Sequence, residues 1–356
     1  MTGVPTVDTA APATGSPARP SEPGSVLRPP RWRRTTPWLL LVLAVVAGFG
    51  LQTQLYTGQE RTASTILMFV SLAVAWNLIG GYAGYACFGQ VGFFGLGGYT
   101  TAVLMTHARL SFWLALPASA VLVGVFAALI GAPLLRLRGH YFAVAMLGVA
   151  EGLREVVTNV PGLTGGGAGI TVPTVDAGAP TRWLGNDGFY VLFLLLAGVL
   201  VGVGLLVSTS RAGYALRAIN QDEDAAAAMG INTTVAKTMA LAVSAALTGA
   251  VGAAYAFQQV TIYPERLFDV DITVLMVVMV MLGGAGTVIG PVIGAVAVAF
   301  ASEWLRQHYP LVHTFLLGGL IIAAVILLPQ GFTTYVHDAV RTRRFSPLAN
   351  LRRYRL

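Results

Sequence analysis

The sequence predicts an all-α protein, a polytopic bundle of transmembrane helices. Of its 356 residues 55% are hydrophobic and 10% are charged, against roughly 25% charged in a soluble domain. Mean hydropathy is +0.71. Apolar runs of about 20 residues, the length that crosses the hydrocarbon core as a helix, recur along the chain without the alternation of a membrane barrel. A helix satisfies its backbone hydrogen bonds internally, so it is the form such runs take in lipid.

Residues 1–36 begin with a Pro-, Ala-, Ser- and Thr-rich run that lacks the apolar density to order itself, and they read as a disordered tail. Arg31, Arg33 and Arg34 precede the apolar run that starts at Trp38. No small-residue cleavage site follows before the polar turn at 52–61, so this run reads as an uncleaved first span rather than a signal peptide. Residues 37–335 form the membrane domain, and 336–356 a basic tail. Ten crossings are expected, at 38–55, 63–80, 91–107, 112–135, 140–158, 188–208, 236–257, 270–285, 287–305 and 313–330.

Basic residues in short loops stay on the cytoplasmic side. With the amino terminus inside, sixteen of the twenty-two Lys and Arg residues fall in cytoplasmic segments, Arg136, Arg138, Arg211, Arg217 and Lys237 among them. An even number of crossings with both termini cytoplasmic accounts for that bias. Five crossings per half would give the two halves opposite orientations, the arrangement of inverted repeats, with the glycine clusters at 80–98 and 283–294 as candidate counterparts. The net charge of +7 then reflects anchoring against anionic lipid, not nucleic-acid binding.

Between Ser208 and Thr238 the hydrocarbon is interrupted by a polar, alanine-rich stretch. Its helix formers predict one exposed helix from Tyr214 to Met229, with an acidic cluster at Asp222, Glu223 and Asp224 and Gly230 as the stop. Such a helix on the cytoplasmic face of a membrane protein offers a handle to an aqueous partner; the plainer alternative is a solvated loop.

Two glycine-rich segments lie in the apolar regions. GGYAGYACFGQVGFFGLGG, from Gly80 to Gly98, places Gln90 among the aromatic neighbours Tyr85, Phe88, Phe93, Phe94 and the adjoining Tyr99, which suits either tight helix packing or a solute pathway. The second, Gly283 to Ala295, follows an apolar run of about twelve residues, which rises only about 18 Å. That span is either discontinuous or starts at Leu267 and buries Asp269 and Asp271. On the fifth span Glu151 lies about 15 Å in, with Arg154 and Glu155 on its face. Charges at that depth should pair and point into the bundle or a wet cavity, as a structural lock or as solute contacts.

Several chemistries lack their residues. No phosphate-binding GxxxxGK[ST] loop, GxSxG elbow or HExxH pair occurs. Cys87 is the sole cysteine, and His107, His140, His308, His313 and His337 are scattered near span ends, so neither a disulfide nor a metal site is expected. The chain reads as a non-enzyme with no cofactor of its own.

The segments from Asn77 to Leu104, Leu135 to Val157, Leu163 to Ile170, Ser210 to Ile231 and Met281 to Ala295 resemble, in order, the branched-chain amino-acid permeases of bacterial ABC importers. Where many of those permeases carry a Ser-x-Gly-His run, this chain has Cys87, Phe88, Gly89 and Gln90. The resemblance implies a multi-pass permease of the bacterial inner membrane that works with two cytoplasmic ATP-binding subunits, which hold ATP and magnesium. A related second permease and an extracytoplasmic solute-binding protein complete the assembly. It also assigns Asp222, Glu223, Asp224, Ala225, Ala228, Met229, Gly230 and Ile231 to the coupling helix that seats in the ATPase. There the alanines allow close approach and the acids meet basic groups of the partner.

The reading that follows is ATP-driven import of a small solute by alternating access, with branched-chain or related amino acids first among solutes. Gln90, Phe93, Phe94, Tyr99, Glu151 and Arg154 are its pathway candidates. Urea or another small polar solute is the alternative cargo. The alternative mechanisms are an ion-coupled carrier that uses Glu151 and Arg154, and a passive channel.

Overall fold

A computed structural model describes residues 31–52, 57–173, 188–327 and Phe332. The expected termini at 1–30 and 336–356, His337 and much of the loop at 159–187 lie outside the described residues. The helices are α1 (Arg31–Gln52), α2 (Thr57–Asn77, prolonged by a π turn at Leu78–Tyr82), α3 (Gln90–Thr106), α4 (Phe112–Leu134), α5 (His140–Thr158) and the short α6 (Pro161–Thr164). There follow α7 (Gly188–Thr209), α8 (Arg211–Gln221), α9 (Glu223–Ala228), α10 (Thr233–Gln259), the short α11 (Pro264–Leu267), α12 (Val270–Gly283), α13 (Ile289–His308) and α14 (His313–Leu327). A helix thus forms at each of the ten expected crossings. The first starts at Arg31, ahead of the apolar run, so 31–36 is helical.

Among the described residues, five helices are long and apolar enough to cross a membrane: Gly58–Tyr82, Phe112–Leu134, Gly188–Thr209, Thr233–Gln259 and Ile289–His308. Periphery and centre differ in side-chain size. Leu39, Val121, Leu129 and Val199 face outward from α1, α4 and α7, as a lipid-facing surface requires.

The centre is α10, packed on α2, α3 and α4. Small residues let backbones meet there, as is usual between helices in lipid. A Cβ on Gly97 would lie 2.2 Å from the carbonyl oxygen of Gly249, and one on Gly252 would lie 2.0 Å from that of Phe94. Phe93, Phe94, Phe112 and Phe257 fill the remaining volume, and Phe112 stacks on Phe257 with centroids 4.3 Å apart.

The segment Ala83–Gly89 between the π turn and α3 is not helical. It turns back up beside α2, where the Trp76 indole N–H donates to the Cys87 carbonyl at 2.8 Å. Gln90, the first residue of α3, then lies level with Ser244, whose hydroxyl in turn donates to the Ala75 carbonyl. So α3 starts part-way down the bundle. Its buried first-turn amide at Val91 donates to the Thr273 hydroxyl at 3.0 Å, which meets the need of an orphan helix-end donor.

The short eighth crossing is short indeed: α12 has 14 residues, about 21 Å. Asp269 caps it by accepting from the Asp271 amide at 2.9 Å, and both acids are exposed, so the reading that buries them is overturned. Its glycine-rich end meets the first glycine cluster directly. The Gly286 amide donates to Asn77 Oδ1 at 2.9 Å, and Asn77 Nδ2 donates to the Thr287 carbonyl at 2.7 Å.

Helix ends gather at two faces. One face holds 78–89, 135–140, 208–237 and 284–288, cross-linked by side chains. The other holds β1 (Ile170–Thr171) paired antiparallel with β2 (Thr261–Ile262). The approach to β1 needs glycine: Gly165, Gly166 and Gly169 have positive φ, and a Cβ on Gly169 would meet the Ile262 carbonyl oxygen at 2.3 Å.

Candidate coupling site

The polar stretch after α7 folds as two helices rather than the single one expected from Tyr214 to Met229. Ser210 caps α8 by accepting from the Gly213 amide. Leu216 and Ile219 bury one face of α8, the Arg217 guanidinium lies 5.0 Å from the Tyr82 ring centroid, and Asn220 Nδ2 donates to the Gly81 carbonyl. The break falls at Asp222, whose backbone is extended (φ −158, ψ 113) and whose side chain accepts from the amides of Asp224 and Ala225 at 2.9 Å each. An aspartate that caps a new helix cannot also continue the old one.

The next helix, α9, holds six residues and is pinned by three contacts. Ala226 is fully buried against the body. Asp224 forms an exposed bidentate pair with Arg138, at 2.8 and 3.1 Å. Glu223 reaches inward to a cluster at the head of α10. Lys237, the only lysine in the chain, is 3% exposed there, and its Nζ donates to Glu223 Oε1 at 2.6 Å, to the Tyr85 hydroxyl at 2.9 Å and to the Leu135 carbonyl at 3.0 Å. The Tyr85 hydroxyl donates in turn to Glu223 Oε2 at 2.5 Å, and its ring stacks edge-on against Phe142.

Burial would raise the Glu223 carboxyl, but the hydrogen bonds from Lys237 and Tyr85 outweigh it and hold the group below the usual glutamate range. The Tyr85 phenol is pushed up, first by burial and then by its bond to Glu223. Asp224 is lowered by its hydrogen bonds and charge contact with Arg138.

The residues expected to form a coupling helix divide by exposure. Ala225, Ala228, Met229 and Gly230 are open, Met229 at 71%, with Gly230 at φ 85 ending the helix. Ile231 is half-buried. Asp222 acts as a cap. Glu223 and Asp224, expected to meet basic groups of a partner, are engaged by basic groups of this chain. Sequence reasoning missed Tyr85, Arg138 and Lys237 as their partners. A lone lysine beside an acidic cluster was the available signal.

The six expected pathway residues are not brought together. Gln90, Phe93, Phe94 and Tyr99 share α3 and are enclosed. Gln90 Nε2 donates to the hydroxyls of Ser244 and Thr248 at 2.9 and 2.6 Å. Glu151 and Arg154 pair with each other on the open face of α5, 55% and 35% exposed, rather than pointing into the bundle. Glu155 instead accepts from Asn159 Nδ2. A cavity of about 600 Å³ between α2 and α13, lined by Thr62, Ile66, Phe300, Glu303 and Trp304, touches none of the six.

The fold is that of a helical membrane protein that displays a short alanine-rich helix at one end. Residues 58–325 match the family described as branched-chain amino acid transport system, permease component, and the chain belongs to that family. It is 31% identical over 317 residues to the high-affinity branched-chain amino acid transport system permease protein LivM of Salmonella typhimurium, covering 82% of this chain and 73% of that protein. Similarity to LivM of Escherichia coli is 30% over the same length and shares. A probable branched-chain amino acid transport permease protein LivM of Methanocaldococcus jannaschii is 25% identical over 181 residues, 51% of this chain and 52% of that one. No solved structure shows significant similarity.

Proposed function

We propose that this permease component is the translocating subunit of an ATP-driven importer for branched-chain or related small amino acids. It works by alternating access in the inner membrane with both termini cytoplasmic, and ATP with magnesium binds on two partner subunits. A related second permease and an extracytoplasmic solute-binding protein complete the assembly. The observation that carries the reading is the open face of α9. Ala225, Ala228 and Gly230 form a small, side-chain-poor surface beside the exposed Met229 at the end of the bundle, the kind of surface against which another protein can close tightly.

The contacts between helices support ten crossings in two inverted halves. Exchanging α1–α5 with α7, α10, α12, α13 and α14 maps the packing of α10 on α3 and α4 onto that of α2 on α12 and α13, and the pair α3–α4 onto α12–α13. The pathway in this reading runs along the open face of α5 against the companion permease. An ion pair left facing hydrocarbon would be costly, and Gly148 and Gly152 beside it have open space above them. The enclosed residues Gln90, Phe93, Phe94 and Tyr99 then form the wall that moves behind this route.

The test is uptake into proteoliposomes holding the whole assembly. Solute accumulation that needs ATP, stops with vanadate and is lost on Ala228→Arg or Met229→Arg, with the permease still folded, supports the reading. Uptake that survives vanadate but collapses with the proton gradient overturns it in favour of an ion-coupled carrier.

A further inference from the structure

We propose that Tyr85 is a positioning residue that delivers movement of α9 to the non-helical segment Ala83–Gly89, with Glu223 and Lys237 as the charge pair that keeps the joint closed. The proposal deepens the importer reading above and rests on it.

The geometry argues for a stiff joint. The Tyr85 hydroxyl stands between both charges, accepting from Lys237 Nζ and donating to Glu223 Oε2. The Lys237 ammonium also lies 4.6 Å from the Tyr85 ring centroid. Lys237 is almost fully buried. Pulling Glu223 away would strand that ammonium, and an uncompensated buried charge is among the most expensive defects in a protein. Under load α9 therefore carries Tyr85 with it. The exposed Asp224–Arg138 pair is solvated and yields more easily.

Beyond Tyr85 the path continues through direct contacts. Tyr85 belongs to a non-helical segment with Gly84 at φ 75, which has no helical ladder to resist displacement. At Cys87 that segment is tied to Trp76 of α2, and at Gln90 it becomes α3, whose side chain and first amide hold Ser244 and Thr248 of α10 and Thr273 of α12. A shift at α9 thus reaches three helices deep in the bundle through one tyrosine. The Lys237 bond to the Leu135 carbonyl provides the fixed point at the end of α4.

The test uses the complete transporter, with spin labels on the exposed residues Ala228 and Ala86, each measured against a label at Glu265 on the opposite face; native Cys87 is buried. In the parent, trapping with ATP and vanadate shifts both distances. In Tyr85→Phe, which keeps the ring, the Ala228 shift persists, the Ala86 shift falls several-fold, and ATP hydrolysed per solute imported rises several-fold with assembly unchanged. A parallel arm compares Glu223→Lys with the exchanged pair Glu223→Lys and Lys237→Glu; the exchange restores coupling that the single variant loses. An unchanged Ala86 shift and an unchanged ATP-to-solute ratio in Tyr85→Phe overturn the joint. A parent in which neither label responds to nucleotide overturns the importer reading as well, so the two failures are distinct.

Discussion

Glu223–Lys237 and Glu151–Arg154 are both acid–base pairs of this chain, and they are built in opposite ways. The first joins residues from separate helices, nearly out of water, and recruits the Tyr85 hydroxyl and the Leu135 carbonyl to complete the shell around one ammonium. The second closes within a single turn of α5 on a face where both side chains are partly exposed. A buried pair is costly to half-remove and so fixes geometry. A pair on an open face adds little to the fold of the isolated chain and acquires weight only when a neighbour covers it. The difference separates a pair that this chain encloses with its own residues from one that it leaves partly exposed.

Removing half of each pair is the strongest way to break the comparison. Glu223→Ala leaves Lys237 buried without its counter-charge and should cost of order 3 kcal/mol, read as a clear fall in melting temperature of the purified chain in detergent. Glu151→Ala should leave that melting temperature within scatter yet impair uptake by the full assembly. Equal destabilisation by both variants would mean that the α5 pair is also a lock.

Acid sharpens the same contrast. Because the folded Glu223 carboxyl is held below its ordinary value, its contribution is complete above the usual glutamate range and disappears as pH falls through the lowered folded value. From about pH 5 downward, the parent should lose melting temperature faster than Glu223→Gln, which has no carboxyl there to protonate. Parallel curves would remove Glu223 from the acid response.

The smallest effect belongs to Arg138→Ala. Its pair with Asp224 is exposed on both sides and screened by salt. Melting should barely move, and any change in ATPase stimulation should shrink as salt rises. A salt-independent loss of stimulation would show that Arg138 holds α9 by more than its charge.

Much of the scaffold was legible because it is a matter of run length. Among the described residues, apolar stretches bounded by polar breaks each coincide with a helix, although the first two helices begin six or seven residues ahead of their apolar runs. The short α12 was visible because too few apolar residues precede Gly283. The division of the exposed stretch into α8 and α9 was also present in the sequence, as an aspartate followed by Glu223 and Asp224, the acidic first turn of a new helix. Helix propensity read over the whole window concealed it. The site was less legible. Tyr85, Arg138 and Lys237 are separated from the acids they hold by 138, 86 and 14 residues, and no local periodicity carries such pairings.

From the sequence alone follow the helical class, the absence of a phosphate-binding loop, the asymmetry of positive charge and the one polar interruption, because each depends on composition along a single segment. The tertiary structure decided that Glu223 is spent inward on Lys237 and Asp224 on the exposed Arg138, that Gln90 and its aromatic neighbours are sealed within the bundle, and that Glu151 with Arg154 faces outward. Those outcomes depend on which surfaces close over one another. In a chain whose backbones touch at Gly97, Gly249 and Gly252, that closure is fixed by three-dimensional packing and not by the order of residues in any one helix.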